Sequence, residues 1–172
     1  MPAGTYTLDP RHTSVTFKIM HLGFSWFTGR FDHTEGEFNW SPDAPDQSTL
    51  DVTITASSID TNDRELDETL GGENWFDTLK YPRATFHATR IEGLGQGHAR
   101  ITGDFTLHGQ THTVVLDTVL IGAGTNPVDG SHVMGFSACG SFDRSDYGIS
   151  NLEPLVGDKI NLQIESEFDK ED

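Results

Sequence analysis

Four stretches of this chain alternate apolar and polar residues with a period of two. Val15, Phe17 and Ile19 alternate with Ser14, Thr16 and Lys18, and Leu50, Val52, Ile54 and Ala56 alternate with Asp51, Thr53, Thr55 and Ser57. Ala99, Ile101, Phe105 and Leu107 stand opposite His98, Thr102, Asp104 and Thr106, and Ile160, Leu162 and Ile164 opposite Asn161, Gln163 and Glu165. Successive side chains of an extended chain point to opposite faces, so each stretch predicts a strand with one apolar and one wetted face. Such strands build antiparallel sheets whose outer face meets water. Further strands are expected near residues 27–40, 84–91, 113–121 and 132–144. Turn-forming clusters separate them: Ser41 to Pro45, Gly93 to Gly97, Gly122 to Gly130, and a two-residue hairpin turn at Gly109-Gln110. About eight strands joined in sequence predict an all-β, antiparallel up-and-down barrel, with a two-sheet sandwich as the alternative. Residues 1–172 are read as one domain.

One segment departs from the alternation. Asn62 to Leu70 carries Arg64 and Glu68 four residues apart on one face, and Leu66 and Leu70 on another. Asn62 followed by Glu65 fits a helix N-terminal cap pair, and Gly71-Gly72 stops the run. A short helix is therefore expected, with Trp75, Phe76 and Leu79 as an aromatic and aliphatic tail. It covers one end of the barrel as a lid, or else packs on a sheet edge.

Charge and composition exclude several classes. Lys and Arg number 11 against 27 Asp and Glu, a net charge of −16, which repels nucleic-acid phosphates and anionic lipid headgroups. No nucleic-acid partner is expected. The single cysteine, Cys139, rules out an intrachain disulfide and a paired-thiolate zinc site. It falls mid-strand, where a small apolar residue suits packing. No apolar run approaches the length that spans a membrane as a helix. No leader is evident, so a periplasmic location is expected if a leader has been removed ahead of Met1, and a cytoplasmic one if Met1 is the native start.

The candidate chemistry is sparse. His108 and His112 flank the predicted hairpin turn, but no dense ligand cluster accompanies them, and no metal is expected. There is no Gly-x-Ser-x-Gly elbow and no phosphate-binding glycine loop with a helix behind it. His21 shares the phase of Val15, Phe17 and Ile19, which makes it either a satisfied core histidine or a polar anchor in a cavity. The apolar faces say more. Phe17, Phe27, Phe31, Phe86, Phe105, Phe136 and Phe142 all fall in predicted strands. An eight-stranded barrel is just wide enough to fill with side chains or to hold one small ligand.

Taken in order along the chain, these pieces have a further property. Tyr6-Thr-Leu-Asp9, His12-Thr13 and Thr28-Gly-Arg-Phe31 precede Ser57-Ser-Ile-Asp-Thr61. Trp75-Phe-Asp, Tyr81-Pro82, Gly103-Asp-Phe-Thr-Leu-His-Gly109, Arg144-Ser-Asp-Tyr-Gly148 and Gly157-Asp158 follow. In this order and spacing the chain resembles the YceI family of polyisoprenoid-binding proteins over Tyr6 to Phe168. Phe105 replaces the family's leucine, Tyr147 its phenylalanine, and Thr13 its usual serine. The resemblance implies a lipocalin-like barrel with a helix at one end and a long amphiphile inside, an isoprenoid quinone or polyprenyl chain. It implies, in some members, a homodimer; no covalent cofactor is expected.

The expected function is to bind and carry such a lipid, without enzymatic activity. The tail is expected to contact Phe17, Ile19, Phe31, Val52, Ile54, Leu70, Trp75, Phe76, Phe86, Phe136 and Ile164. His21, Arg144 and Tyr147 are nominated for the headgroup, with pairing of Arg144 to Asp143, Asp146 or another carboxylate as the structural alternative. Two other functions compete: an enzyme using His21 with a carboxylate as acid and base, and a filled barrel serving protein interaction or stress response.

Overall fold

The computed structural model describes residues 1–171. Its eleven strands are β1 (Gly4–Leu8), β2 (Ser14–His21), β3 (Ser25–Phe31), β4 (Thr34–Trp40), β5 (Thr49–Thr55), β6 (Ile59–Asp60), β7 (Arg83–Gly95), β8 (His98–Leu107), β9 (Gln110–Thr125), β10 (His132–Asp143) and β11 (Lys159–Lys170). All pairings are antiparallel, and β1 meets both β4 and β11, which closes the sheet into a barrel. The sandwich alternative is thereby set aside.

Eleven strands occupy eight lanes because three lanes are broken. Along β11, residues 161–165 pair with β2 and residues 168–170 with β1, so β1 and β2 share one lane. In the same way β3 and β4 share a lane, as do β5 and β6. The first break lies at Asp9 to Thr13. Pro10 has no N–H to give a ladder, and the Asp9 carboxylate accepts from the Arg11 N–H and meets His12 Nδ1 at 2.6 Å, turning a corner. Sequence alternation alone leaves β1 and β6 unassigned and fuses β3 with β4. The split at Asp32-His33 is fixed from outside: Asp32 N–H donates to the Ser58 carbonyl and His33 N–H to the Ser58 hydroxyl.

Two predicted turns shift by one or more residues. The β8–β9 turn is His108-Gly109, both with positive φ (51° and 74°), not Gly109-Gln110. Leu107 pairs with Gln110, leaving a two-residue loop whose twist suits the flanking strands. The strand β7 continues to Gly95 through the glycine-rich segment, and Gln96-Gly97 make the turn.

Helix α1 spans Arg64–Leu70, and its cap is Asp63, not Asn62. The Asp63 carboxylate accepts from the N–H groups of Glu65 and Leu66, while Asn62 sits one residue outside with a left-handed φ of 61°. The Arg64–Glu68 pair forms as spaced, at 3.0 Å. Beyond the helix the chain folds back on it: Phe76 N–H donates to the Leu70 carbonyl, and Trp75 N–H to that of Gly72. These bonds fix both aromatic side chains relative to the helix end.

The interior holds three clusters. One closes the lower end, with Tyr6, Leu8, Phe38, Met134 and Phe168 buried. The rings of Phe38, Phe136 and Phe168 lie mutually about edge-on, at 5.8 to 6.0 Å between centroids. The other two clusters line the walls above. Cys139 is exposed on β10, contrary to the packing role read from the sequence, because inward-facing Ala138 fixes the strand's phase.

Candidate functional site

The eight lanes enclose a cavity of about 540 Å³, within the range that takes a small organic ligand. Its walls are the inward phase of the strands, so the alternation of the sequence becomes the lining. Phe17, Ile19, Phe31, Val52, Ile54, Phe86, Phe136 and Ile164 all line it. So do Leu70, Trp75 and Phe76, together with Leu66 from the helix. The segment from α1 to Phe76 is thus a cover over the cavity and not a patch on a sheet edge. Phe76 meets the wall ring Phe31 edge-on at 5.8 Å.

Two wall rings occupy space left by glycines on the neighbouring strand. Phe17 faces Gly29, and a Cβ there would stand 2.5 Å from the ring. Phe86 leans over Gly103, where a Cβ would stand 2.4 Å from it. The cavity's width therefore depends on two missing side chains as much as on the rings present.

The floor is the aromatic cluster of Phe38, Phe136 and Phe168, each of which also lines the cavity. The opposite end is the mouth. There the β2–β3 tip (residues 22–24), the α1 cover and the loop 150–157 meet. Leu22 N–H donates to the Leu155 carbonyl and Gly157 N–H to the Met20 carbonyl, each at 2.8 Å, joining tip to loop. His21 and Leu152 are both exposed and cavity-lining, which places the opening beside them. Phe24 (88% exposed) on the tip, Trp26 (56%) on the outer phase of β3 and Leu155 on the loop add exposed apolar surface at this end. From residue 10 to residue 31 the chain carries no Asp or Glu, so this tip is free of the acidity that covers the rest.

The polar candidates fare differently from the apolar ones. Arg144 is buried and lines the cavity, but its guanidinium is committed elsewhere. Nε donates to the Gly157 carbonyl at 2.8 Å, Nη1 to that of Ile149 at 2.8 Å and Nη2 to that of Val156 at 3.0 Å. The nearest carboxylate is Glu153 at 3.9 Å, not Asp143 or Asp146, and Asp143 pairs with Lys159. Burial lowers the Arg144 pKa, with the charges of Glu153 and Asp158 opposing. Its plane also lies 5.5 Å from the Trp75 ring, coupling the loop to the cover. Arg144 is thus first a tether that holds loop 150–157 in place.

Tyr147 does not line the cavity. It is fully buried behind the wall against Phe105, Phe142 and His112, its hydroxyl has no hydrogen-bond partner, and burial pushes its pKa up to about 12. His21 stands at the rim on an exposed strand end, not deep inside. The two hairpin histidines serve packing: His108 Nδ1 meets the Tyr147 carbonyl at 3.0 Å and its ring stacks on Tyr81. No cluster of three or more metal-ligating side chains occurs among the described residues, and no helix is long and apolar enough to cross a membrane.

Three polar lining residues escape the sequence reading: Thr13, Thr118 and Ser166. The hydroxyls of Thr13 and Thr118 are buried with no hydrogen-bond partner in the protein. Ser166 was legible, since it continues the inward phase of Ile160, Leu162 and Ile164. Thr118 was not, because residues 113–121 are apolar on both phases.

Comparison with known proteins agrees with this geometry. The family profile described as a YceI-like domain matches residues 6–168. Protein YceI of Escherichia coli O157:H7 is 36% identical over 167 residues, 96% of this chain and 86% of that one. The crystal structure of a Campylobacter jejuni YCEI protein superposes with a TM-score of 0.77 at 31% identity, covering 90% of this chain and 91% of that one. A domain from Saccharophagus degradans, described as polyisoprenoid binding and implicated in plant cell wall breakdown, shares the fold with a TM-score of 0.71 at 16% identity, over 96% and 98% of the two chains.

Proposed function

This chain belongs to the YceI family, and from that premise we propose that it binds and carries a long isoprenoid amphiphile, an isoprenoid quinone or polyprenyl lipid, inside the barrel. The observation that carries the reading is the cavity itself. Of its lining side chains only Thr13, His21, Thr118, Arg144 and Ser166 are polar, and none is a carboxylate. Each CH₂ moved from water into such a slot gains about 0.8 kcal/mol, so a prenyl chain is held by its length and not by any one contact. The polyisoprenoid-binding description of the Saccharophagus domain supports the same ligand class.

A binding role fits better than catalysis. An acid–base pair built on His21 would need a carboxylate facing the same space, and the lining supplies none. A filled barrel serving protein interaction does not fit an open volume of about 540 Å³. The acidic outer surface keeps a loaded carrier soluble.

The test is extraction and uptake. Organic extraction of the purified protein, followed by mass spectrometry, is expected to release a stoichiometric isoprenoid. The stripped protein is expected to take up added quinone or polyprenol. Phe86→Asp should abolish uptake, because it places an unpaired carboxylate in the wall, with folding checked by circular dichroism on the same sample. Absence of any bound lipid together with no uptake by the folded wild type refutes the carrier reading.

A further inference from the structure

The polar atoms of the cavity divide by depth. At the mouth, three of the Arg144 donors are given to backbone carbonyls, Tyr147 lies behind the wall, and His21 faces the exposed rim. Lower down the balance reverses. Thr118 is only 6% exposed, its side chain lines the cavity, and its hydroxyl has no partner in the protein.

The register fixes its neighbours on the wall. Thr118 pairs with Ala138, Ala138 with Ile164, and Ile164 with Val15, so these residues form one rung around the wall. Ser166 lies two residues further down β11 and pairs with Phe136 of the floor. Thr13 precedes Ser14, which pairs with Glu165, so Thr13 stands level with Ser166. Its buried hydroxyl is likewise unpartnered. Two unsatisfied hydroxyls and a serine therefore sit just above the aromatic floor.

A threonine hydroxyl offers one donor and two acceptor positions, and leaving them unmade inside a protein is unfavourable. Valine has the same shape without that cost, so an apolar tail alone gives no physical use for threonine at either place. What would satisfy them is an oxygen carried in by the ligand. Charge restricts its kind. The only lining side chains that can be cationic are His21 and Arg144, both at the mouth, so a phosphate lowered to this rung would be buried unpaired.

We propose that Thr118, with Thr13 as a second unpartnered hydroxyl of the lining, forms a hydrogen-bonding subsite for an uncharged oxygen, a quinone carbonyl or prenol hydroxyl. The amphiphile then enters polar end first and leaves its tail toward the mouth. The inference rests on the carrier reading and deepens it: the preferred cargo is neutral at its polar end, not a prenyl pyrophosphate.

The test compares three probes of equal prenyl length on the lipid-stripped full chain: farnesol, farnesene and farnesyl pyrophosphate. Binding is followed by the fluorescence of Trp75, which lines the cavity. Wild type is expected to bind farnesol more tightly than either of the others. Thr118→Val is expected to weaken farnesol by about three- to tenfold, the size of one net hydrogen bond, and to leave farnesene unchanged. Thr118→Ser should restore farnesol binding. The melting temperature of the empty Thr118→Val protein should not fall, since an unsatisfied group has been removed. Unchanged farnesol affinity in Thr118→Val, an equal loss for farnesol and farnesene, or tighter binding of the pyrophosphate by wild type would each overturn the subsite. Should Thr118→Val not fold, Thr118→Ala and Thr13→Val carry the same comparison. A folded wild type that binds none of the three probes refutes the carrier reading itself, an outcome distinct from loss of discrimination among them.

Discussion

The floor and the mouth of the barrel are built on opposite principles. The floor is closed twice, by hydrogen-bonded ladders of β1 with β4 and β11, and by the ring triangle of Phe38, Phe136 and Phe168. Most of its side chains are buried, and its ladders run in register except for one shift at Gly135/Phe136 of β10. The mouth is assembled from a seven-residue helix, a hairpin tip and the loop 150–157, and it leaves Phe24, Trp26, Leu152 and Leu155 exposed. Two leucines there, Leu22 and Leu152, have left-handed backbone with φ of 53° and 61°, which bulky side chains seldom adopt. The difference teaches where such a barrel can place its stability. The open end is covered by elements with few buried contacts, and those open at lower free-energy cost than the closed end.

The sharpest way to break the comparison is at the floor. Phe38→Ala removes the ring shared by three aromatic contacts and should destabilise the whole protein by about 3–5 kcal/mol, measured by denaturant unfolding. A loss under about 1 kcal/mol would show that the ladder and not the rings closes the floor.

At the mouth the equivalent keystone is polar. Arg144→Met leaves the carbonyls of Ile149, Val156 and Gly157 without their donors and should cost about 2–4 kcal/mol. Amide exchange should rise across residues 144–157 while β1 and β4 stay protected. A uniform rise through both ends would erase the distinction drawn between them.

Tyr147 gives a pH handle on the wall between the two ends. Its folded pKa is raised from 10.0 to about 12 by burial, with the Asp146 charge adding, so folding favours the neutral phenol. That stability is fully present below pH about 10, where both folded and unfolded phenols are protonated. It is lost as pH rises through about 12, a loss of roughly 1–3 kcal/mol. Tyr147→Phe should abolish this part of the alkaline loss without lowering stability at neutral pH, because the deleted hydroxyl had no partner. An unchanged alkaline profile would assign the loss to other groups.

The smallest effect is expected at the rim. Phe24→Ser changes a ring that is 88% exposed and should shift stability by less than about 0.5 kcal/mol. A large loss would mean that the rim is packed in solution and the mouth is tighter than its exposure implies.

The sequence by itself determined the inward faces. Alternation identified Phe17, Ile19, Val52, Ile54 and Ile164 as one-sided, and side-chain period in a strand is local, so these positions line the cavity as soon as the strands form. It determined the helix and its direction to within a residue at the cap, because Asp63 and Asn62 are chemically similar candidates. Tertiary structure decided everything that depends on which lanes meet. Alternation could not show that β1 and β2 share a lane, because that follows from pairing with β11, about 150 residues away in the chain. Nor could it show that Arg144 is spent on three carbonyls, that Tyr147 lies behind the wall, or that His21 reaches only the rim. Each is a polar group whose role is set by the partners that folding brings to it. Thr118 makes the point most plainly. Its hydroxyl lies among apolar residues of both phases, and only closure of the barrel turns it inward, into a cavity that offers it no partner from the protein.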